Sequence, residues 1–232
     1  MIPLRDNAAP RRLTPVNVAL IAANVAVFVY ELSLGARVAA FVERFALVPA
    51  SVTGALTIST HRLATLAPLI TTVTSMFIHG GFWHIAGNML YLFIFGAAVE
   101  YRMGAARYLI FYFAAGIAAA LATVWIAPES MVPVIGASGA IAGVLGAYFI
   151  LYPRGRILTI LPIFIFIQFI EIPAVIYLLF WFAVQLYAGL EEGGRAGAMG
   201  GVAWWAHVGG FMFGIALGPM LAINRPRRRR AR

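Results

Sequence analysis

The sequence predicts an all-α polytopic membrane protein with six transmembrane helices. Three observations lead to this fold class: 62% of the 232 residues are hydrophobic, only 11% are charged, and long apolar runs recur along the whole chain. A soluble domain is about half apolar and about a quarter charged. The apolar surplus therefore indicates side chains that face lipid. We expect one membrane domain over residues 16–222, a cytoplasmic N-terminal tail (1–15) and a basic cytoplasmic C-terminal tail (223–232).

Apolar runs of about twenty residues are long enough to cross the hydrocarbon core of a bilayer. Apart from the fifth, the predicted spans are 16–34, 82–99, 108–127, a short fourth at 138–152, and 202–222. The first run follows arginines, as in a signal peptide, but it is long and no clear cleavage site follows it. We therefore expect it to be a retained helix.

The fifth span lies within an apolar stretch over residues 157–189. As one helix this stretch would be about 50 Å long, too long for one span and too short for three. Four residues interrupt its first half: Pro162, Gln168, Glu171 and Pro173. We expect the first half to run along the interface or inside the protein, and residues 173–189 to cross once.

The arginines orient the predicted spans. The chain has no lysine, and with both termini inside, 13 of its 17 basic residues lie on the inner side and four on the outer side. Counting residues 63–78 as a further span would move the arginine tail outside, against the positive-inside rule. The outer loop over 35–81 is therefore predicted to be long and partly embedded in the outer leaflet.

The net charge of +9 is explained by this topology, with the basic tail near anionic lipid. We expect no nucleic-acid partner, and an integral protein of a bacterial plasma membrane. The oligomeric state is left open.

Polar side chains inside spans are functional candidates because they are costly in lipid. The strongest candidates are His84 and Asn88 in the second span, Ser138 in the fourth and His207 in the sixth. All three spans run inward in the predicted topology, and His84, Ser138 and His207 each lie near the outer end of their span. Residues scattered by chance would not agree in depth, so these side chains are predicted to form one site in the outer third of the membrane.

Ser138 lies in the segment Gly136-Ala137-Ser138-Gly139, at the start of a predicted helix. Backbone N–H groups at a helix start have no intrahelical partner, and they suit a developing oxyanion. We therefore predict Ser138 as a nucleophile with His207 as its general base. Asn88, His84 and the segment beginning at Gly136 are candidates to bind the oxyanion.

Glycines explain how the serine and the histidine are brought together. Small residues at four-residue spacing let two helices pack closely in lipid. Such faces occur in the fourth and sixth predicted spans: Gly139, Gly143 and Gly146, and Gly210, Gly214 and Gly218.

The rest of the inventory excludes other hydrolase chemistries. The chain has no cysteine, no HExxH motif, and Asp6 as its only aspartate. A thiol nucleophile, a zinc site of that type and an aspartate pair are thereby excluded. A Ser–His dyad without an aspartate is what this chain offers, and we expect no metal and no cofactor.

Three segments in order resemble the motifs of rhomboid proteases. They are the run from His79 to Asn88 (HGGFWHIAGN), the GASG segment around Ser138, and the run from Ala206 to Phe211 (AHVGGF). The resemblance covers residues 16–222 and implies a six-helix rhomboid-like bundle. It implies Ser138 as nucleophile and His207 as base.

The resemblance also implies that His84, Asn88 and the backbone N–H of Ser138 bind the oxyanion. Glu100 matches an acidic family position with a structural role. Family substrates are single-span membrane proteins that are cut near the outer face. One position departs from the pattern of some members: Ala142 stands where an aromatic ring would stack on the histidine.

Blander interpretations stand beside these. A serine in a small-residue helix usually serves packing, a lone buried histidine is usually structural, and His79 is expected only to tie down the outer loop. A channel or transporter would need polar residues through the full membrane thickness, and here they stop in the outer third. A non-catalytic pseudoprotease typically lacks the serine or the histidine, and this chain has both. The glycines of residues 193–201 suit either a mobile cap or a plain connector.

Overall fold

A computed structural model describes residues 1–8, 14–57, 62–163, 166–192 and 203–223. In chain order its α-helices are α1 (Pro15–Ser33), α2 (Val38–Phe45), α3 (Pro49–Thr57), α4 (Arg62–Thr74), α5 (Phe82–Tyr91), α6 (Ala97–Met103), α7 (Ala105–Ile126), α8 (Ser138–Leu151), α9 (Ala174–Glu192) and α10 (Trp204–Leu221). One π-helical turn, Leu92–Gly96, joins α5 and α6 into a single rod.

Four rods among the described residues are long and apolar enough to cross a membrane: α1, the α5–α6 rod, α7 and α9. The apolar helices α8 and α10 pack among them and complete a bundle of six. The predicted helical polytopic membrane fold is thus confirmed. The six predicted spans correspond to α1, the α5–α6 rod, α7, α8, α9 and α10, and each begins and ends within four residues of its expected limits.

Helix α8 is the centre of the bundle. It is buried at 11 of its 14 positions, and alanine and glycine make up much of its surface. At 1.5 Å per residue it is about 21 Å long, shorter than a bilayer core of about 30 Å. Because α8 is short and mostly buried, Ser138 at its start is half-buried.

Helices α8 and α10 touch through their glycines, as predicted. A Cβ on Gly210 would meet the carbonyl oxygen of Gly139, and a Cβ on Gly214 would meet that of Gly143. A Cβ on Gly146 would likewise meet the backbone of Phe211. Close backbone approach in lipid requires small residues at this spacing. The glycine faces therefore fix the separation of the helices that carry Ser138 and His207.

Glu100 on α6 satisfies the start of α1. Its carboxylate accepts the backbone N–H groups of Val16 at 3.2 Å and Asn17 at 2.7 Å. These amides lie in the first helical turn, where intrahelical partners are missing. The Asn17 side chain donates to the Leu92 carbonyl at 3.0 Å, at the π-helical turn. Glu100 thus joins the start of the first span to the end of the second.

Three strands, which the sequence did not predict, form a small antiparallel sheet. They are β1 (Ile2–Asp6), β2 (Arg156–Ile163) and β3 (Phe166–Pro173), in the order β1-β2-β3. The first half of the fifth apolar stretch is therefore a hairpin, and the N-terminal tail pairs with it. A short apolar run cannot be told from a helix segment by periodicity, which is why the strands were missed.

The sheet also constrains the topology. Ile2 pairs with Ile160 although four spans lie between them, so the N-terminus and the segment after the fourth span lie on one side of the bundle. The backbone N–H of Ile223, after α10, donates to the Arg102 carbonyl at 2.7 Å, which brings the end of the sixth span to the end of the second. An even number of spans connects these segments, as the predicted topology requires.

The outer loop forms the short helices α2, α3 and α4, and α4 carries Pro68 and is not among the spanning rods. This loop packs on α7 and contacts the segment before α8. Leu47 forms an isolated β-bridge with Val134, and the Gly136 N–H donates to the Ser75 carbonyl at 2.9 Å. The glycine-rich segment 193–201 and the arginines of the C-terminal tail lie outside the described residues.

Candidate active site

The four predicted site side chains line one cavity of about 670 Å³. Each comes from the first turn or two of a helix: His84 and Asn88 from α5, Ser138 from α8, and His207 from α10. The four side chains therefore face the same cavity. Apolar side chains form much of the remaining wall: Trp83, Ile135, Ile141, Leu145 and Trp181.

Ser138 is the first residue of α8 and is half-buried. Ala137 at the N-cap makes no side-chain hydrogen bond, so no side chain caps the helix start beside the serine. The N–H groups of the first turn have no intrahelical acceptor. The positive end of the helix dipole adds to their attraction for negative charge. A negative charge that develops on a group bonded to the Oγ of Ser138 would therefore be stabilised by these N–H groups and by the dipole of α8.

His207 on α10 is buried, with 8% of its surface exposed. Its Nδ1 lies 2.7 Å from the side-chain oxygen of Gln185 on α9, whereas its Nε2 has no hydrogen-bond partner. The structure thus brings Ser138 and His207 to the same cavity but does not close the hydrogen bond between them. Such bonds are often long in a substrate-free site and tighten when substrate binds.

His84 presents a hydrogen-bond donor to the cavity. The backbone N–H of Gly80 donates to its Nδ1 at 3.3 Å, which leaves the proton of the neutral ring on Nε2. A Cβ on Gly136 would lie 2.7 Å from that Nε2 and 3.6 Å from the Nδ2 of Asn88. The Nδ2 of Asn88 is buried and has no partner. Two donors therefore meet beside Gly136, two residues before Ser138.

Gly136 differs from its expected role as an oxyanion donor. Its N–H already donates to the Ser75 carbonyl, so it is not free to bind substrate. Its backbone has a φ of +117°, a conformation that residues with a Cβ rarely adopt. The contribution of Gly136 is steric: the absence of a side chain leaves room for the ring of His84.

His79 ties the segment before α5 to α1. Its backbone N–H lies 3.3 Å from both carboxylate oxygens of Glu31, and its Nδ1 lies 3.3 Å from the Phe77 carbonyl. Burial first, and then the nearby His84, lower the pKa of His79 to about 4. Its ring packs edge-on against that of His84, with centroids 5.0 Å apart. A neutral His79 thereby helps to hold His84 in place.

The fifth and sixth spans supply the ring contacts that Ala142 cannot make. The ring of Trp181 lies 5.8 Å from that of His207, and Trp204 packs edge-on at 6.2 Å. Gln185, one turn beyond Trp181, is the site residue that sequence reasoning missed. The signal was available: it is a polar amide inside an apolar span, the same feature that singled out Asn88.

Fold and cavity together define a helical polytopic membrane protein whose serine and histidine face one internal cavity from two closely packed helices. The family model for the rhomboid domain matches residues 67–224, and the chain belongs to the rhomboid family, which comprises intramembrane serine proteases.

Curated relatives agree with this membership. The chain is 33% identical over 167 residues to the mitochondrial rhomboid protein 1 of Saccharomyces cerevisiae, covering 69% of this chain and 45% of that protein. It is 36% identical over 148 residues to the Bacillus subtilis rhomboid protease GluP, covering 63% of this chain and 25% of the relative. The putative rhomboid protease YdcA of Bacillus subtilis is 40% identical over 76 residues, which cover 33% of this chain and 38% of YdcA. The chain spans less than half the length of each of these relatives.

Proposed function

We propose that the protein is an intramembrane serine endopeptidase that cleaves single-span transmembrane proteins near the outer face of the membrane by a Ser–His dyad. The observation that carries the proposal is the convergence of Ser138 and His207 on one cavity, at the first turns of two helices in backbone contact. The unpartnered Nε2 of His207 supplies a base, and the start of α8 supplies backbone donors.

In the proposed reaction, the Oγ of Ser138 attacks the scissile carbonyl carbon and the Nε2 of His207 takes the hydroxyl proton. The tetrahedral oxyanion accepts hydrogen bonds from the Ser138 N–H, the Nδ2 of Asn88 and the Nε2–H of His84. His207 then returns the proton to the leaving amine, and the carbonyl stays bound to Ser138 as an ester. Water, activated by the same histidine, hydrolyses this acyl-enzyme and releases the second product.

The walls of the cavity support a transmembrane substrate. Ile141, Leu145 and Trp181 form an apolar surface below Ser138, which suits an apolar side chain next to the scissile bond. A helix in lipid has its backbone groups bonded internally. A segment must therefore unwind before its carbonyl reaches Ser138, and a cavity near helix ends favours cleavage close to the membrane surface.

The proposal includes the orientation. The protein is integral to the membrane, and the positive-inside rule assigns the side with 13 of the 17 arginines to the cytoplasm. Both termini are then cytoplasmic and the cavity lies toward the outer face. In this proposal the membrane is a bacterial plasma membrane, and the partners are lipid and single-span substrates.

Cleavage of a single-span substrate in liposomes tests the proposed activity. The wild-type protein is expected to cleave it, and Ser138→Ala and His207→Ala are expected to lower the rate to background while the thermal unfolding temperature stays unchanged. Cleavage by folded Ser138→Ala would overturn the assignment of the nucleophile. A wild-type protein that binds the substrate without cutting it would instead favour a pseudoprotease.

A further inference from the structure

Gln185 on α9 makes the shortest polar contact to His207 in the described part of the site. Its side-chain oxygen lies 2.7 Å from the Nδ1 of the imidazole. Both side chains are buried, at 6% and 8% exposure, so water does not compete effectively for the contact. The contact joins α9 to α10 at the imidazole of His207.

The direction of this hydrogen bond is fixed by a second contact. The Nε2 of Gln185 donates to the backbone carbonyl of Trp181 at 3.1 Å. A carbonyl only accepts, so the amide nitrogen must lie on the Trp181 side and the amide oxygen on the His207 side. An amide oxygen also only accepts, so the Nδ1 of His207 carries the proton. The Nε2 of the neutral ring is then the unprotonated nitrogen, which a general base requires.

We propose that Gln185 is a positioning residue that holds His207 in the tautomer and orientation needed to take the proton of Ser138. It occupies the place that an aspartate has in a serine triad. The only aspartate of the chain, Asp6, lies on β1 and accepts a hydrogen bond from the Tyr148 hydroxyl at 3.0 Å. The inference rests on the proposed proteolytic function and deepens it.

Trp181 supports the same role through a contact between the two rings. Its indole packs on His207 with centroids 5.8 Å apart and planes tilted by 39°. The carbonyl of Trp181 also fixes the amide of Gln185. One turn of α9 therefore orients the imidazole through stacking and through a hydrogen bond, and a movement of α9 would change the orientation of the base.

The test compares two substitutions of Gln185. Gln185→Met removes the acceptor at nearly constant length, and Gln185→Glu retains an acceptor at the same place. In a serine protease whose histidine is held in the wrong tautomer, kcat falls by about 10⁴-fold. For Gln185→Met we expect a fall in kcat between about tenfold and this limit, with KM unchanged, and for Gln185→Glu recovery of most of the loss.

A spectroscopic readout separates positioning from a purely structural role. In protein labelled with ¹⁵N-histidine, the His207 signals are identified by their absence in His207→Ala. The wild type is expected to show a protonated Nδ1 and an unprotonated Nε2, and Gln185→Met a shift toward the other tautomer. Tyr108→Phe is the matched control, because it removes a buried interhelical hydrogen bond of 2.8 Å to Asn17, away from the cavity. It is expected to change neither kcat nor the His207 signals.

The outcomes distinguish this inference from the proposed function. If the wild type cleaves and Ser138→Ala does not, but Gln185→Met keeps both kcat and tautomer, the positioning role is wrong and the protease stands. Equal losses for Gln185→Met and Gln185→Glu, with unchanged His207 signals, would also overturn it. If folded Ser138→Ala cleaves, the proposed function fails, while the ¹⁵N signals still test the contact between Gln185 and His207.

Discussion

Gly210 on α10 contacts Gly139 on α8 backbone to backbone, so that the carbonyl oxygen of Gly139 occupies the place of a Cβ on Gly210. Gly139 directly follows Ser138, and Gly210 lies one helical turn after His207. A close backbone approach of the two helices therefore lies beside the two groups that must meet in the proposed reaction. Helix packing and the geometry of the dyad depend on the same contact.

Gly210→Ala is expected to lower stability and activity together. The added methyl group meets backbone rather than a flexible side chain, so the helices must separate. Overpacking of this kind costs roughly 1–3 kcal/mol. Thermal unfolding in detergent and the rate of substrate cleavage measure the two effects, and we expect the catalytic loss to persist at temperatures where the variant is folded.

Gly87→Ala is the control for this substitution. Gly87 is also a helical glycine, but a Cβ there meets nothing within 4 Å. Its unfolding temperature is expected to stay the same or rise slightly. If Gly210→Ala were as stable as Gly87→Ala and as active as the wild type, the close packing of α8 on α10 would not be what positions the dyad.

Gly136→Ala is expected to reduce kcat more than it reduces stability. Its φ of +117° strains any side chain, and the new Cβ would lie 2.7 Å from the Nε2 of His84. Displacement of this donor should lower kcat by about 10²- to 10³-fold, the effect of losing one oxyanion donor. Gly80→Ala is the matched variant, since its Cβ would make ordinary contacts of 3.6 Å with Ile135 and 3.9 Å with His84. Equal kcat values for the two variants would contradict the assigned role of His84.

Asn88→Ala is expected to lower kcat by about 10²- to 10³-fold, roughly 3–4 kcal/mol, and to leave KM nearly unchanged. The buried Nδ2 of Asn88 has no partner in the described structure, so it is available to an oxyanion that forms only during the reaction. The Ser138 N–H stays in place, so a residual rate should be measurable. Asn24→Ala is the control: its buried amide bonds within α1 to the Leu20 carbonyl, away from the cavity. Full kcat in Asn88→Ala would exclude the oxyanion role.

Cysteine labelling tests the orientation, because the chain contains no cysteine of its own. Glu129 lies in the loop before α8 and Arg154 in the turn after it, and both are exposed. In intact spheroplasts, a membrane-impermeant maleimide is expected to label Glu129→Cys and to label Arg154→Cys only after permeabilisation. The reverse pattern would place the arginine-rich side outside and contradict the topology.

Apolar runs predicted the positions of the spans because the thickness of a bilayer sets the length of the helices that cross it. The direction of the spans, which follows from the arginine counts, stays a prediction. Motifs and depth predicted the cavity residues, since a polar group inside a span is costly and must have a use. The segment 157–173 was predicted less well. Its isoleucine, phenylalanine and polar residues form β2 and β3. The pairing of these strands with each other and with β1, which the sequence does not show, decides between strand and helix.

The contacts around His207 could not be predicted because they depend on the rotation of α9 about its axis. The sequence places Trp181 and Gln185 one turn apart on the fifth span, yet lipid and protein faces of an apolar helix are hard to distinguish by composition. Gly136 shows the same limit. Its motif predicts that it takes part in an oxyanion site, but the bond of its N–H to Ser75 appears only in the folded chain.

Labelling with a fluorophosphonate tests whether Ser138 is an activated nucleophile, and it needs neither a known substrate nor a known cleavage site. The reagent phosphonylates a serine whose proton is removed by a neighbouring base, and peptide mass spectrometry locates the adduct. We expect one adduct, at Ser138, its absence in Ser138→Ala, and a labelling rate lowered to background in His207→Ala. Undiminished labelling of folded Ser138→Ala, or no labelling of the folded wild type, would contradict the assignment of Ser138 as an activated nucleophile.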